Sequence, residues 1–223
     1  MESIDPMGKV VTLVGGETLA FSALVSSMPM DLLVGKLRGP LGATLAPLSP
    51  RFIHSSTHVV GVGLGGAPPP HLSGKCWMYF PEASVPFYRV TVFSHYAPAN
   101  VPLPGEQWSL MCEVTETAHR EAPGGGGREA VIAACVAGLR GIGFIGEGVP
   151  VLSTFHRRLE YGYPTPFLGR DELVHEVDEA LRPRGVYSRG RFGAWKYEVA
   201  NQDHSFMCVC CVCVCVASPQ PPS

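Results

Sequence analysis

Nothing in this 223-residue chain is apolar for the roughly 20 residues that a bilayer span requires; the longest apolar run, Phe206 to Ala217, falls well short. The opening MESIDPMGKV is acidic and has no apolar segment of the kind a secretory leader needs. A net charge of −2 supplies no cationic field for nucleic acid or an anionic membrane, so neither is expected as a partner. No internal repeat divides the sequence. Charged residues are sparse at 16% and hydrophobic ones reach 46%, a balance that excludes disorder. The features describe a soluble cytoplasmic protein, long enough for one large domain or two small ones.

The eight cysteines fall into two groups. Cys76, Cys112 and Cys135 are far apart among apolar neighbours, as suits reduced core thiols. The other five, Cys208, Cys210, Cys211, Cys213 and Cys215, crowd into a Val-rich run. That run has neither histidine partners nor the two separated ligand pairs of zinc modules, so no metal is expected. Repetition of TG in the coding DNA would by itself write Cys-Val repeatedly. Residues 208–223 are therefore expected to be a low-complexity tail outside the fold, and residues 1–207 its body.

Strands are predicted at Val10–Val14, Ala23–Ser26, Thr57–Leu64, Cys76–Phe80, Tyr88–His95, Trp108–Thr115, Val151–Glu160 and Gly185–Ser188. These runs carry β-branched and aromatic residues between Gly, Pro and Ser clusters. REAVIAACVAGLRGIG has helical spacing and ends on glycines, which predicts a helix over Arg128–Leu139. GRDELVHEVDEALRPRG predicts a second, with Asp171 and Glu172 in its first turn, and MDLLVGKL a shorter one. APPPHLSG, APANVPLPGEQ and EAPGGGGR read as loops, the last as a mobile one. Strands grouped without strict alternation with helices predict an α+β fold with a mainly antiparallel sheet.

Two matches to G-x-G-x-x-G, GVGLGG (Gly61, Gly63, Gly66) and GIGFIG (Gly141, Gly143, Gly146), stand in the wrong context. The motif holds a pyrophosphate only where a strand turns directly into a helix. The first runs into APPPH and the second follows a helix, so both read as turns. Asp203, His204 and Ser205 are consecutive and cannot form a hydrolase triad. His54 and His58 lead into a strand and do not form a helical metal pair.

Three stretches combine aromatics with arginine. CWMYFPEASVPFYRVTVFSHY holds Trp77, Tyr79, Arg89 and Tyr96. FHRRLEYGYPTP ends at Tyr163 before two prolines. SRGRFGAWKYEVANQDHS supplies Arg191, Tyr197, Asn201 and Gln202. For any one aromatic, core packing is the simpler explanation. The recurrence of guanidinium and phenol together suits a diphosphate, which Arg binds in bidentate fashion and Tyr meets with a rigid donor.

SSTHVVGVGLGG, KCWMYFPEASVPFYRVTVFSHYAP, WSLMCEVTET, STFHRRLEYGYPTP and above all SRGRFGAWKYEVANQDHSFM closely resemble the eukaryotic-type UDP-galactopyranose mutases, across most of residues 9–207 and in order. These are FAD enzymes of the amine-oxidase and protoporphyrinogen-oxidase group. The resemblance implies an isomerase that interconverts UDP-galactopyranose and UDP-galactofuranose through a reduced-flavin N5–sugar adduct, with NAD(P)H as the reductant. It implies that Arg89 reaches the substrate near the flavin as the catalytic arginine. It implies too that Tyr79, Tyr96, Tyr163 and Tyr197 bind the UDP-galactose-type nucleotide sugar, and that Arg191, Asn201 and Gln202 lie at the flavin side.

Members of that family also begin with a βαβ unit bearing a true G-x-G-x-x-G, and carry a uridine-binding region upstream. Neither has a counterpart in this sequence, and the Cys-Val run replaces a helix that faces the flavin. The expectation is a C-terminal part of such a flavoprotein, without its Rossmann unit, that binds FAD weakly and is inactive alone. An amine-oxidase-like FAD oxidoreductase and a non-catalytic fragment are the alternatives.

Overall fold

The computed structural model describes residues 1–198, 201–207 and 210. Two compact units emerge: residues 1–54 with the described residues from 163 onward, and residues 55–162.

The first unit begins with a small antiparallel sheet of β1 (Ser3–Asp5), β2 (Val10–Thr12) and β3 (Thr18–Ala20). Gly15 and Gly16, at φ 104° and 89°, turn the chain between β2 and β3, a conformation that glycine alone adopts without strain. Then come β4 (Leu24–Ser26), α1 (Met30–Gly35) and α2 (Gly39–Leu45). Met30, Leu33, Val34 and Leu37 recur at i, i+3, i+4 and i+7, and all are buried.

The second unit is a five-stranded sheet in the order β6-β7-β8-β5-β9, with a helix packed on one face. β5 (His54–Gly65) enters it, followed by β6 (Trp77–Tyr79), β7 (Arg89–Val92) and β8 (Gln107–Glu116). The pairs β6–β7, β7–β8 and β5–β8 are antiparallel. α3 (Arg128–Gly141) follows, and then the long edge strand β9 (Val151–Pro164). Strand alternation sends Val60, Val62, Val90, Val92, Leu110 and Cys112 to one face, where Val131, Cys135 and Leu139 of α3 cover them. Burial pushes the Cys112 thiol well above its usual range, and the neighbouring Cys135 adds to this.

The chain returns to the first unit with α4 (Arg170–Leu181) and β10 (Val186–Ser188), which pairs in parallel with β4. Leu173, Val177 and Leu181 form the buried stripe of α4. Residues 202–207 are helical. No helix among the described residues is long and apolar enough to cross a membrane. No group of three His, Cys, Asp or Glu side chains among them is placed to hold a metal ion. The Cys208–Cys215 run lies outside the described residues, apart from Cys210.

The architecture is the expected one, mixed helix and sheet with mainly antiparallel pairing, but details differ. β1, β3 and α2 were not anticipated. The strand expected over Tyr88–His95 gives way at Phe93 to a 3₁₀ turn, Phe93–His95. Gly61 and Gly63 lie within β5 and not in a turn, and only Gly66 adopts a positive φ, 82°. Cys76 is half-buried, whereas Cys112 and Cys135 are fully buried.

EAPGGGGR winds into a tight turn with Gly124, Gly125 and Gly126 at φ 58°, 64° and 79°. A side-chain carbon on Gly126 would lie 3.2 Å from His58 Cε1. Behind this turn is a polar cluster. His58, fully buried, shares a hydrogen bond with His156 (Nδ1 to Nε2, 2.9 Å) and approaches Glu116 at 3.3 Å. Arg158 donates to Glu116 Oε2 at 2.5 Å and to Ser56 Oγ at 2.9 Å. Burial holds the His156 imidazole below its ordinary value, with the charges of His58 and Arg128 acting the same way. The Arg158 hydrogen bond holds the Glu116 carboxyl below the usual carboxylate range.

Both shifts have the same consequence. Above about pH 6.5 His156 is neutral folded or unfolded. As pH falls through that value the unfolded chain takes the proton first, and the fold loses stability. The Glu116 contribution persists to lower pH and is lost as pH falls through its depressed folded value. Thermal melting followed at pH 7.5 and 5.5 is expected to show a lower Tm at 5.5, with a smaller drop in His156→Gln. Equal drops in the two proteins would refute a role for this cluster.

Candidate functional site

The face of the second unit's sheet that α3 does not cover carries the chemistry. Register alone assembles it. Tyr79, Arg89, Glu113 and Val59 form one cross-strand row, and Trp77, Thr91, Met111 and Gly61 form the next. Arg89 lies against Glu113, a carboxylate only 6% exposed. Its Nε donates to Glu113 Oε1 at 2.8 Å, and its Nη2 to Oε1 at 2.5 Å and Oε2 at 2.6 Å. Tyr88 donates its hydroxyl to Glu113 Oε2 at 2.5 Å. The Nη1 edge meets the Tyr79 hydroxyl at 3.4 Å.

Aromatic rings box the guanidinium in: Arg89 Cζ is 5.8 Å from the ring centroids of Trp77, Tyr79 and Tyr88 alike. The Trp77 indole donates to the Tyr96 hydroxyl, and the two rings meet edge-on at 6.4 Å. Partial burial holds the Tyr96 phenol above its usual range, opposed by that indole hydrogen bond. Trp77 and Tyr79 are 58% and 63% exposed, so the box opens to solvent. Three residues expected from the sequence, Tyr79, Arg89 and Tyr96, thus come together. Glu113 and Tyr88 join them unannounced.

A cavity of about 570 Å³ occupies the same sheet face, lined by Gly61, Gly63, Phe93, Met111, Ser153 and Phe155 among others. A side-chain carbon on Gly61 would lie 3.3 Å from Phe155 Cβ, and one on Gly63 2.4 Å from Ser153 Oγ. The glycines of GVGLGG therefore let β9 side chains lie flat across β5 and leave a floor of bare backbone. Glycine alternating within a strand was the available sign.

The first unit holds the remaining expected residues. Arg191 Cζ lies 5.0 Å over the Tyr163 ring, and the Tyr163 and Tyr197 rings meet at 5.6 Å. Their loop is tightly wound: Ala194 N donates to Gly190 O at 2.8 Å and Lys196 N to Arg191 O at 3.0 Å. Trp195 anchors it, fully buried at φ 50°, against Phe52 (4.9 Å) and Phe192 (5.6 Å). Its indole donates to Ile53 O at 3.1 Å. Asn201 and Gln202 are exposed where the helical residues 202–207 begin, separated from Tyr197 in sequence by Glu198 and two residues outside the described set. A cavity of about 410 Å³ is lined by Asp178, Arg189, Gly190, Lys196 and Ser205 among others.

No family model matches the chain. A crystal structure of reduced UDP-galactopyranose mutase superposes on it with a TM-score of 0.86 at 41% identity. The chain is similar to that mutase over 92% of its own length. It spans 43% of the mutase chain, less than half. Two further crystal structures share the fold. One, from Exiguobacterium sp. 255-15 and assigned as a protoporphyrinogen oxidase, has a TM-score of 0.60 at 15% identity over 89% of this chain and 42% of its own. The other, an oxidoreductase from Methanosarcina mazei, has a TM-score of 0.53 at 14% identity over 93% and 48%.

The wound loop yields a direct test. A side-chain carbon on Gly193 would sit 2.1 Å from Arg189 O and 2.7 Å from Arg189 C, backbone atoms that cannot swing aside. Gly193→Ala is expected to destabilise the chain by about 1–3 kcal/mol or more and to shift Trp195 emission to the red. Gly35→Ala, with nothing within 4 Å of the added carbon, should leave the emission unchanged and should not destabilise the chain. Wild-type melting and emission in Gly193→Ala would show that the loop is not held this way.

Proposed function

We propose that this chain is the nucleotide-sugar-binding part of a eukaryotic-type UDP-galactopyranose mutase, an isomerase of UDP-galactopyranose and UDP-galactofuranose. The observation that carries the reading is Arg89, boxed by aromatic rings and braced by a buried carboxylate on an open sheet face of a chain 41% identical to a solved mutase. A guanidinium edge and phenol hydroxyls are donors matched to diphosphate oxygens. Exposed Trp77 and Tyr79 offer flat faces to a uracil or sugar ring. Arg89 is the catalytic arginine in this reading, Tyr79, Tyr96, Tyr163 and Tyr197 contact the nucleotide sugar, and Arg191, Asn201 and Gln202 belong to the flavin side.

FAD is the cofactor such an enzyme uses, and when bound it supplies the covalent chemistry at the sugar. The described residues do not build a cradle for its pyrophosphate. Gly61 and Gly63 lie inside a strand, and Gly141 ends α3 with Gly143 and Gly146 beyond it, so neither glycine motif opens a helix. The chain on its own is therefore expected to bind FAD weakly. The amine-oxidase-like alternative needs an aromatic cage left open for a substrate cation. In this chain Arg89 itself occupies the cage.

Titration of the 223-residue chain with UDP and UDP-galactose is expected to quench exposed Trp77, while buried Trp108 and Trp195 respond little. Arg89→Ala should weaken binding by about 1.5–3 kcal/mol, and Tyr79→Phe by about 0.5–1.5. No saturable binding of either nucleotide at millimolar concentration would overturn the reading, and a larger loss in Tyr79→Phe than in Arg89→Ala would overturn the role given to Arg89.

A further inference from the structure

We infer that Glu113 is the positioning residue of this site, fixing which edge of the Arg89 guanidinium faces a ligand. The inference rests on the nucleotide-sugar reading for the identity of that ligand, and on geometry for the grip itself.

Glu113 has left water almost completely, which a carboxylate tolerates only when its charge is paired and its oxygens are filled. Both conditions are met. Oε1 accepts from Arg89 Nε and Nη2, and Oε2 accepts from Nη2 and from the Tyr88 hydroxyl. Direct cross-strand register of Arg89 with Glu113 makes the contact short and leaves little slack. A guanidinium is a flat fork whose N–H groups lie in one plane. Once Nε and Nη2 are engaged on one side, that plane is fixed and the Nη1 edge is turned toward Tyr79.

Two consequences follow for recognition. The Nη1 edge and the Tyr79 hydroxyl, 3.4 Å apart, become a paired donor set spaced for neighbouring oxygens of one phosphate. The Arg89–Glu113 pair is also neutral overall, so the site selects by direction more than by net charge. A freely rotating Arg89 would keep its charge and lose that direction.

The Nε–H signal of Arg89 in ¹H–¹⁵N spectra, identified by its loss in Arg89→Lys, reports the grip without any ligand. It is expected to be sharp and slow to exchange in the wild-type chain, and broadened or lost in Glu113→Gln. In Glu113→Asp, which keeps the charge on a shorter stem, it should persist at a changed shift. UDP affinity should fall at least tenfold in Glu113→Gln and only a few-fold in Glu113→Asp. The double variant Glu113→Gln with Arg89→Ala should bind no more weakly than Arg89→Ala alone.

An unaltered Nε signal in Glu113→Gln, wild-type UDP affinity in that variant, or additive losses in the double variant would each refute the inference. Should Glu113→Gln fail to fold, Glu113→Asp decides: an unshifted signal with unchanged affinity refutes it, and a shifted signal with reduced affinity upholds it. If the wild type binds no UDP, the nucleotide-sugar reading fails, and the Nε signal alone judges the grip.

Discussion

Ten consecutive residue pairs lock β5 to β8, from Ser56 with Glu116 to Gly65 with Gln107, and the second unit takes its order from that register. In a sheet the side-chain period is two, so a slip of one strand by one residue would turn that strand's faces over. With β8 slipped, Leu110 and Cys112 would leave the core beneath α3, and Glu113 and Met111 would enter it. The cost of burying Glu113 without a cation is what makes the slipped pairing untenable, in addition to the lost apolar contacts. Core and site are thus specified by one constraint, viewed from the two sides of one sheet.

Several arginines of this protein are committed to carboxylates. Arg89 is held by Glu113, Arg158 by Glu116, Arg170 by Glu198 and Arg189 by Asp178. Such a guanidinium contributes donors in a fixed plane with little residual field, in keeping with the small net charge of the chain. The exposed pairs add little stability. The Arg89 pair, with its carboxylate buried, matters through direction, and the aromatic rings around it limit the alternatives.

The sequence was legible where its signals are periodic and long. β-Branched alternation marked the strands of the five-stranded sheet, and apolar spacing marked α3 and α4. It was far less legible where structure rests on few residues. β3 is three exposed residues, too short to carry a periodic signal. The glycines of GVGLGG looked like a turn because glycine marks turns most often, while their purpose is close approach across a strand. Arg89, Tyr79 and Tyr96 could be named from composition and resemblance. Glu113, twenty-four positions from Arg89, could not, because only register makes them neighbours. Trp195 passed unnoticed for a related reason: in sequence it is one more aromatic, and only the wound backbone around Gly193 makes it an anchor.

The bare floor of β5 has a consequence for how the cavity can vary. On that face Gly61, Gly63 and Gly65 present no side chain, and the atoms opposite them belong to Phe155, Ser153 and Pro150. Every substitution at these positions adds volume where none is spare, and none can remove any. The dimensions of the cavity are therefore bounded in one direction: mutation along this track can only shrink or distort the space. Enlargement has to come from lining residues that have a side chain to cut back, such as Met111 and Phe155.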